Sequence, residues 1–71
     1  METVKLFDVV ALLEDLPEHS LQRGQVGTVV ELLASGVFEV EFSDNKGRTY
    51  ASLALRSGQL MVLHHSMAGV A

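Results

Sequence analysis

The chain has 71 residues, no cysteine, and nine acidic against five basic residues, which gives a formal net charge of −4 at pH 7. The length allows one domain, and the lack of cysteine excludes disulfide bridges and thiolate metal sites. The acidic balance disfavours a phosphate backbone as partner, and the apolar share of 48% is too high for a disordered chain.

The apolar residues exceed what so small a domain can bury. A folded chain of this size buries only roughly 60% of the surface of its unfolded form, so we expect an apolar surface patch that serves as an interface. No apolar run reaches the roughly 20 residues of a membrane helix. The first residues, METVKLFDVVALL, carry Glu2 and Asp8, which is atypical of a signal peptide. We therefore expect a cytoplasmic protein with no membrane partner.

The first apolar stretch, residues 6–15, fits two kinds of element. Its apolar residues occupy both parities, as in a buried strand or a short helix. The β-branched Val9 and Val10 favour a strand, and the helix remains the alternative. Pro17 ends the element because it lacks an N–H donor and restricts the residue before it. An irregular loop is expected over residues 16–24.

Two glycines precede the next apolar run. Gly24 lies where a turn enters a strand, and glycine adopts a positive φ there without steric cost. Gly27 lies inside the strand, where a glycine marks a bulge, a bend or a second backbone passing close by. The apolar parity changes between Val29 and Leu33, which also predicts a bulge. A phosphate-binding loop is excluded, because it needs a lysine and a hydroxyl residue where β-branched residues follow here.

The clearest strand lies over residues 38–42, in which apolar and acidic side chains alternate. The cluster SDNKG that follows predicts a tight turn that includes Gly47. The stretch RTYASLAL returns as the second strand of a hairpin. Its alternation directs Tyr50 and Ala54 away from the core, and RSGQ predicts a further turn.

The last predicted strand is LMVL, residues 60–63. Residues 64–71 show no periodicity, so we expect a frayed tail behind one domain over residues 1–63. Five short strands at this spacing predict an all-β fold, a small and strongly bent five-stranded barrel.

Four stretches in this order, RGQVGTVVEL, GVFEVEF, GRTYASLAL and GQLMVL, resemble the SH3-like barrel superfamily. The pattern of a basic residue, Gly, two residues, Gly, one residue and Val is similar to that of KOW modules of transcription elongation and ribosomal proteins; Arg23, Gly24, Gly27 and Val29 occupy its positions. Over nearly its whole length, and above all in DVVALLEDLPEHSLQRGQVGTVVELL, the chain resembles a family of short bacterial proteins described as a domain of unknown function. The resemblance implies an SH3-like barrel and brings no activity with it.

Nucleic-acid binding is disfavoured by the residues themselves. The five cations are spread along the chain, and we expect the phenylalanines Phe7, Phe38 and Phe42 in the core rather than on a base-stacking surface. Binding of proline-rich ligands needs a groove of several aromatic side chains, whereas the chain has no Trp and one Tyr.

Two clusters could carry metal or catalytic chemistry. His64 and His65 could join His19 as zinc ligands, but adjacent strand residues point to opposite sides, and a solvated tail explains the pair better. Glu39 and Glu41 are explained by ordinary strand alternation rather than by a catalytic carboxylate pair. We therefore expect no catalytic residue, no metal, no cofactor and no small-molecule substrate, and the chain is predicted not to be an enzyme.

The main hypothesis is a non-enzymatic SH3-like barrel that forms a homo-oligomer or binds a protein partner through Tyr50, Ala54 and Met61. Aromatic residues mark interface hot spots, and pairing of edge strands is an alternative mode. The acidic balance also fits an antitoxin- or immunity-like accessory protein with a basic partner. A KOW-like nucleic-acid-associated module, with salt-dependent RNA binding, is the third hypothesis.

Overall fold

The computed structural model describes residues 3–64, and these form a single antiparallel sheet of five strands in the order β4-β3-β2-β1-β5. No α-helix occurs within this range, so the all-β prediction is confirmed, and the stretch 6–15 contains a strand rather than a helix. Two 3-10 helices precede β2 and β5. The elements are β1 (Val9–Leu12), the first 3-10 helix (Pro17–His19), β2 (Val26–Ala34), β3 (Val37–Ser43), β4 (Thr49–Arg56), the second 3-10 helix (Ser57–Gln59) and β5 (Leu60–Leu63).

The core lies on one face of this sheet. Every strand contributes to one cluster of buried side chains, including Val10, Val29, Phe42, Leu55 and Leu60. Within residues 3–64, one sheet and a few loop side chains cover this cluster, and we expect the sheet to bend around it. Within residues 3–64, β4 and β5 remain the two edges and no ladder joins them. The closed barrel expected from the sequence is therefore not confirmed.

The bend is accompanied by irregular pairing in β2. Its register against β3 shifts between Val29 and Glu31, where the sequence predicts a bulge, and again between Leu32 and Ala34. A bulge inserts an extra residue and increases the local twist. Gly24, just before β2, has φ of 92°, a conformation that glycine adopts without strain.

The turn between β3 and β4 is held by one side chain. The Asp44 carboxylate accepts hydrogen bonds from the backbone N–H groups of Lys46 (2.9 Å) and Arg48 (3.0 Å). Gly47 has φ of 79° within the same turn. These contacts are typical of an Asp that begins a tight turn.

The loop over residues 16–24 is more ordered than expected. Leu16 and Leu21 form an isolated antiparallel bridge around the first 3-10 helix, with N···O distances of 2.9 and 3.1 Å. Both leucines are buried in the core cluster. The loop therefore contributes to the core, because an apolar residue on each side of Pro17–His19 lets the turn fold back onto the sheet.

The prediction that Phe7 belongs to the core is wrong. Its side chain is 71% exposed and its φ is 70°. A tight turn precedes β1, in which the backbone N–H of Lys5 donates to a carboxylate oxygen of Asp8 and the N–H of Asp8 donates to the carbonyl of Lys5. This turn directs Phe7 outward, and Val4 is buried in the core instead.

Candidate interaction face

The outer side of the sheet, opposite the core, has an apolar part on the start of β2, on β1 and on β5. Residues directly opposite each other on neighbouring strands share a face, and the residues next to the buried Val10 point outward. Two outward rows cross these strands: Val26, Ala11 and Met61, followed by Thr28, Val9 and Leu63. We call Val9, Ala11, Val26, Met61 and Leu63 the apolar face. It contains no charged residue.

The two residues at the ends of the first row are exposed to solvent. Val26 is 47% exposed and Met61 is 49% exposed. Ala11, between them, is 6% exposed, because it is small and lies between two larger side chains. A contiguous apolar surface without charge has the chemistry of the centre of a protein interface.

The other half of the outer side, on β3 and β4, is acidic and polar. The Ser52 hydroxyl donates to a Glu39 carboxylate oxygen at 2.6 Å, and the Thr49 hydroxyl lies 3.4 Å from a carboxylate oxygen of Glu41. These two glutamates are therefore engaged by hydroxyl groups of β4. The acidic surface also reaches the second part of β2, where the exposed Glu31 pairs with Glu39. The apolar face is therefore confined to the start of β2, to β1 and to β5.

The three residues predicted as an interface lie in three different places. Met61 is in the apolar face, whereas Ala54 pairs with Glu39 in the acidic half. Tyr50 is half exposed, and its hydroxyl accepts a hydrogen bond of 3.0 Å from the side-chain amide of Gln25. It lies at the end of β4 that is remote from the turn into β5. Of the three, only Met61 belongs to the uncharged surface.

A hollow of about 330 Å³ lies beside β5. Its lining is predominantly apolar and includes residues before β1, after β1, in the second 3-10 helix and in β5, namely Val4, Leu13, Ser57, Gly58, Leu60, Met61 and Val62. The hollow therefore extends the apolar face around the edge of the sheet.

The side chain of Gln59 makes hydrogen bonds at the start of β5, beside this hollow. The Gln59 amide nitrogen donates to a Glu14 carboxylate oxygen at 2.9 Å, and its amide oxygen accepts from the backbone N–H of Arg56 at 2.8 Å. Gln59 thereby links the end of β1 to the second 3-10 helix. The Glu14 charge is consequently positioned beside the start of β5.

The electrostatics of the described residues centre on turns. Hydrogen bonds from the backbone N–H groups of Arg48 and Lys46 lower the pKa of Asp44 below its usual value.

Residues 3–64 contain no group of three His, Asp or Glu side chains that could hold a metal ion. His19 is in the first 3-10 helix and His64 follows β5, whereas His65 lies outside the described residues. Within the same range, no helix has the length and apolarity to cross a membrane.

The chain matches the model of the family described as domain of unknown function (DUF4926) over residues 6–62. It belongs to this family. The predicted membership of a domain-of-unknown-function family is thus confirmed, and the matched region of this DUF4926 domain includes β1 to β4 and most of β5. No curated protein and no solved structure matches the chain.

Sequence reasoning missed most of the apolar face of this DUF4926 domain, but a signal for it was present. Both parities of β1 are apolar: Val10 and Leu12 point to the core, and Val9 and Ala11 point away from it. A strand with this pattern is normally covered on both sides. Val26 could not be found this way, since its assignment to the same surface depends on the register between β1 and β2.

Proposed function

We propose that this DUF4926 domain is a non-enzymatic protein-interaction module built on an SH3-like barrel, and that the apolar face is its binding surface. The observation that carries the proposal is a mismatch around β1. Its sequence is that of a strand buried on both faces, and Ala11 is nearly buried, yet among residues 3–64 nothing covers Val26 of β2 and Met61 of β5, which flank Ala11. A protein partner that covers this face would remove the mismatch.

The arrangement of the core supports the SH3-like part of the proposal. Five short antiparallel strands in one continuous order bend around a single cluster of side chains. Small barrels of this kind are filled by their own side chains and leave no interior cavity for a substrate. Surface recognition is therefore the activity that this architecture favours.

The acidic half supports a second candidate, an antitoxin- or immunity-like accessory protein. Glu39 and Glu41 lie on the same outer side as the apolar face, so a partner with an apolar centre and a basic margin would complement both halves. The same carboxylates disfavour a KOW-like nucleic-acid role. One of the cations, Arg48, is also paired with Asp44 at 3.2 Å.

Site-specific photo-cross-linking in the native host tests the binding surface. A benzophenone amino acid in place of Met61 probes the apolar face, and the same substitution at Ser52, exposed on the acidic half, is the matched control. We expect covalent protein adducts from position 61 and at least several-fold fewer from position 52. Equal yields at both positions, or none at position 61, would contradict the proposed surface. Adducts confined to nucleic acid would support the third hypothesis instead.

A further inference from the structure

We infer that the protein partner at this surface is a second copy of the same chain, joined by antiparallel pairing of the two β5 strands about Val62. The inference rests on the proposed function, because it names the partner and the geometry for the same side of the molecule. It depends on three features of β5: the direction of its backbone groups, its lack of charge and its position at the sheet edge.

The backbone of β5 presents one complete donor and acceptor pair to the outside. Leu13 donates its N–H to the carbonyl of Gln59 at 2.9 Å, in the same register that pairs β1 with Met61 and Leu63. Alternate residues of a strand bond to the same neighbour, so these odd-numbered residues face β1. Val62 therefore directs its N–H and its C=O away from the sheet, and no strand within residues 3–64 pairs with that edge.

A second β5 in antiparallel orientation satisfies both groups at once. With Val62 opposite Val62 of the second copy, each N–H donates to the other carbonyl, which gives a two-fold symmetric pair of hydrogen bonds. Met61 then lies opposite Leu63 of the second copy on the outer side. The two apolar faces become one continuous surface, and the incoming strand covers the hollow beside β5.

The charge distribution favours this edge over the edge formed by β4. The strand β5, Leu60–Leu63, has no charged residue, and its copy can approach without like-charge contact. Pairing through β5 leaves seven strand spacings, about 34 Å along the sheet, between the acidic β3 strands of the two copies. Pairing through β4 would leave three spacings, about 14 Å. Pairing through β5 therefore places more uncharged strands between the acidic strands of the two copies.

The ends of β5 are also complementary in antiparallel orientation. Glu14 is held beside the start of β5 by Gln59. Lys5 lies at the other end, where it lines a hollow together with Asp8 and Val62. Reversal of the second strand brings Lys5 of each copy, together with Asp8, toward Glu14 of the other. A parallel pair would instead place the two Glu14 carboxylates side by side, which favours the antiparallel pair.

Proline substitution tests the edge directly, with a matched position on the opposite edge. The backbone N–H of Ser57 donates to the carbonyl of Gly36 at 3.0 Å, in the register of the β3–β4 pairing. Odd-numbered residues of β4 therefore bond to β3, and Ala54 directs its N–H outward from β4 as Val62 does from β5. Proline removes that donor and is tolerated at sheet edges. We expect Val62→Pro to raise the dissociation constant of the dimer at least about 10-fold, since each dimer loses two hydrogen bonds.

Sedimentation equilibrium of the full chain is the measurement. Ala54→Pro and Val62→Ala, which keep the Val62 donor, should change the dissociation constant less than about 3-fold. A wild-type chain that is monomeric at its highest soluble concentration would overturn the inference. So would a dimer that is weakened by Ala54→Pro and not by Val62→Pro.

Disulfide capture tests the register independently of the proline variants. The chain has no native cysteine, and opposite residues of a non-hydrogen-bonded pair lie about 4.5 Å apart at their α-carbons, within the range of a disulfide. An oxidised mixture of Met61→Cys and Leu63→Cys chains should give mainly the mixed covalent dimer. Equal amounts of mixed and Met61→Cys homodimers would overturn the Val62-centred register.

These results separate the inference from the proposed function. If benzophenone at position 61 captures proteins of other masses while the wild-type chain sediments as a monomer, the interaction face stands and the second copy is wrong. If position 61 captures nothing and the chain is a monomer, both are wrong. A captured adduct of twice the chain mass together with the mixed disulfide supports both.

Discussion

The backbone of Gly27 in β2 lies against the backbone of β3 so closely that a β-carbon would be 2.8 Å from the carbonyl oxygen of Glu41. The same β-carbon would be 2.8 Å from a Val40 methyl carbon and 2.9 Å from the Phe42 ring. Real β-carbons do not approach backbone oxygen so closely, so β2 can pass β3 here only with glycine. The contact lies beside the row that contains Val26.

Gly27→Ala should therefore destabilise the fold by about 1–3 kcal/mol, the usual cost of overpacking a closely packed site. Urea unfolding, followed by circular dichroism, measures the change. Gly58→Ala is the matched control, since an alanine methyl group at that position would have no neighbouring atom within 4 Å and the φ of Gly58 is not positive. A loss at Gly58 equal to that at Gly27 would contradict the steric explanation.

Phe7 stores backbone strain that glycine would release. Its φ of 70° places a bulky residue in the left-handed region, which costs about 1–2 kcal/mol in an L-residue. Phe7→Gly should be more stable than Phe7→Ala by about 0.5–1 kcal/mol, after allowance for the greater freedom of glycine in the unfolded chain. The comparison needs only the two urea midpoints, and an alanine variant at least as stable as the glycine variant would contradict it.

The turn at Asp44 should make stability depend on acid pH. The pKa of this carboxyl is lowered in the folded state from 3.8, because the N–H groups of Arg48 and Lys46 donate to it. A carboxyl whose pKa is lower in the folded state stabilises the fold at any pH above its unfolded-state pKa. This stabilisation is lost as the pH falls through the folded-state pKa. Asp44→Asn should thus be less stable than wild type at pH 7, and the difference should shrink below about pH 4. A difference that is constant between pH 7 and pH 2 would show that the charge plays no part.

The hydrogen bond between Gln59 and Glu14 should survive an exchange of the two side chains. Gln59→Glu places two carboxylates together and should cost about 1 kcal/mol or more at pH 7. Adding Glu14→Gln reverses donor and acceptor and should recover most of that loss. A double-mutant cycle from urea unfolding measures the coupling. Losses that simply add would mean that the two side chains do not interact in solution.

The strands and turns were predictable because their signals are local. Residues 38–42 alternate with the two-residue period of a strand, and the cluster around Asp44 and Gly47 carries the side chains that form tight turns. The element over residues 60–63 was likewise found as a strand. The prediction for Phe7 was wrong because it rested on hydrophobicity alone. The direction of this side chain is set by the turn before β1, in which the Asp8 carboxylate accepts a hydrogen bond from the N–H of Lys5.

The amino-acid sequence by itself determined five strands, their alternation and an excess of apolar surface, since each depends on residues close together in the chain. Only the tertiary structure decided where that surface lies. Val26, Ala11 and Met61 are far apart in sequence and become one row through the registers of β2, β1 and β5. Register depends on hydrogen bonds and packing between distant segments, and a shift of one residue would move every side chain to the opposite face.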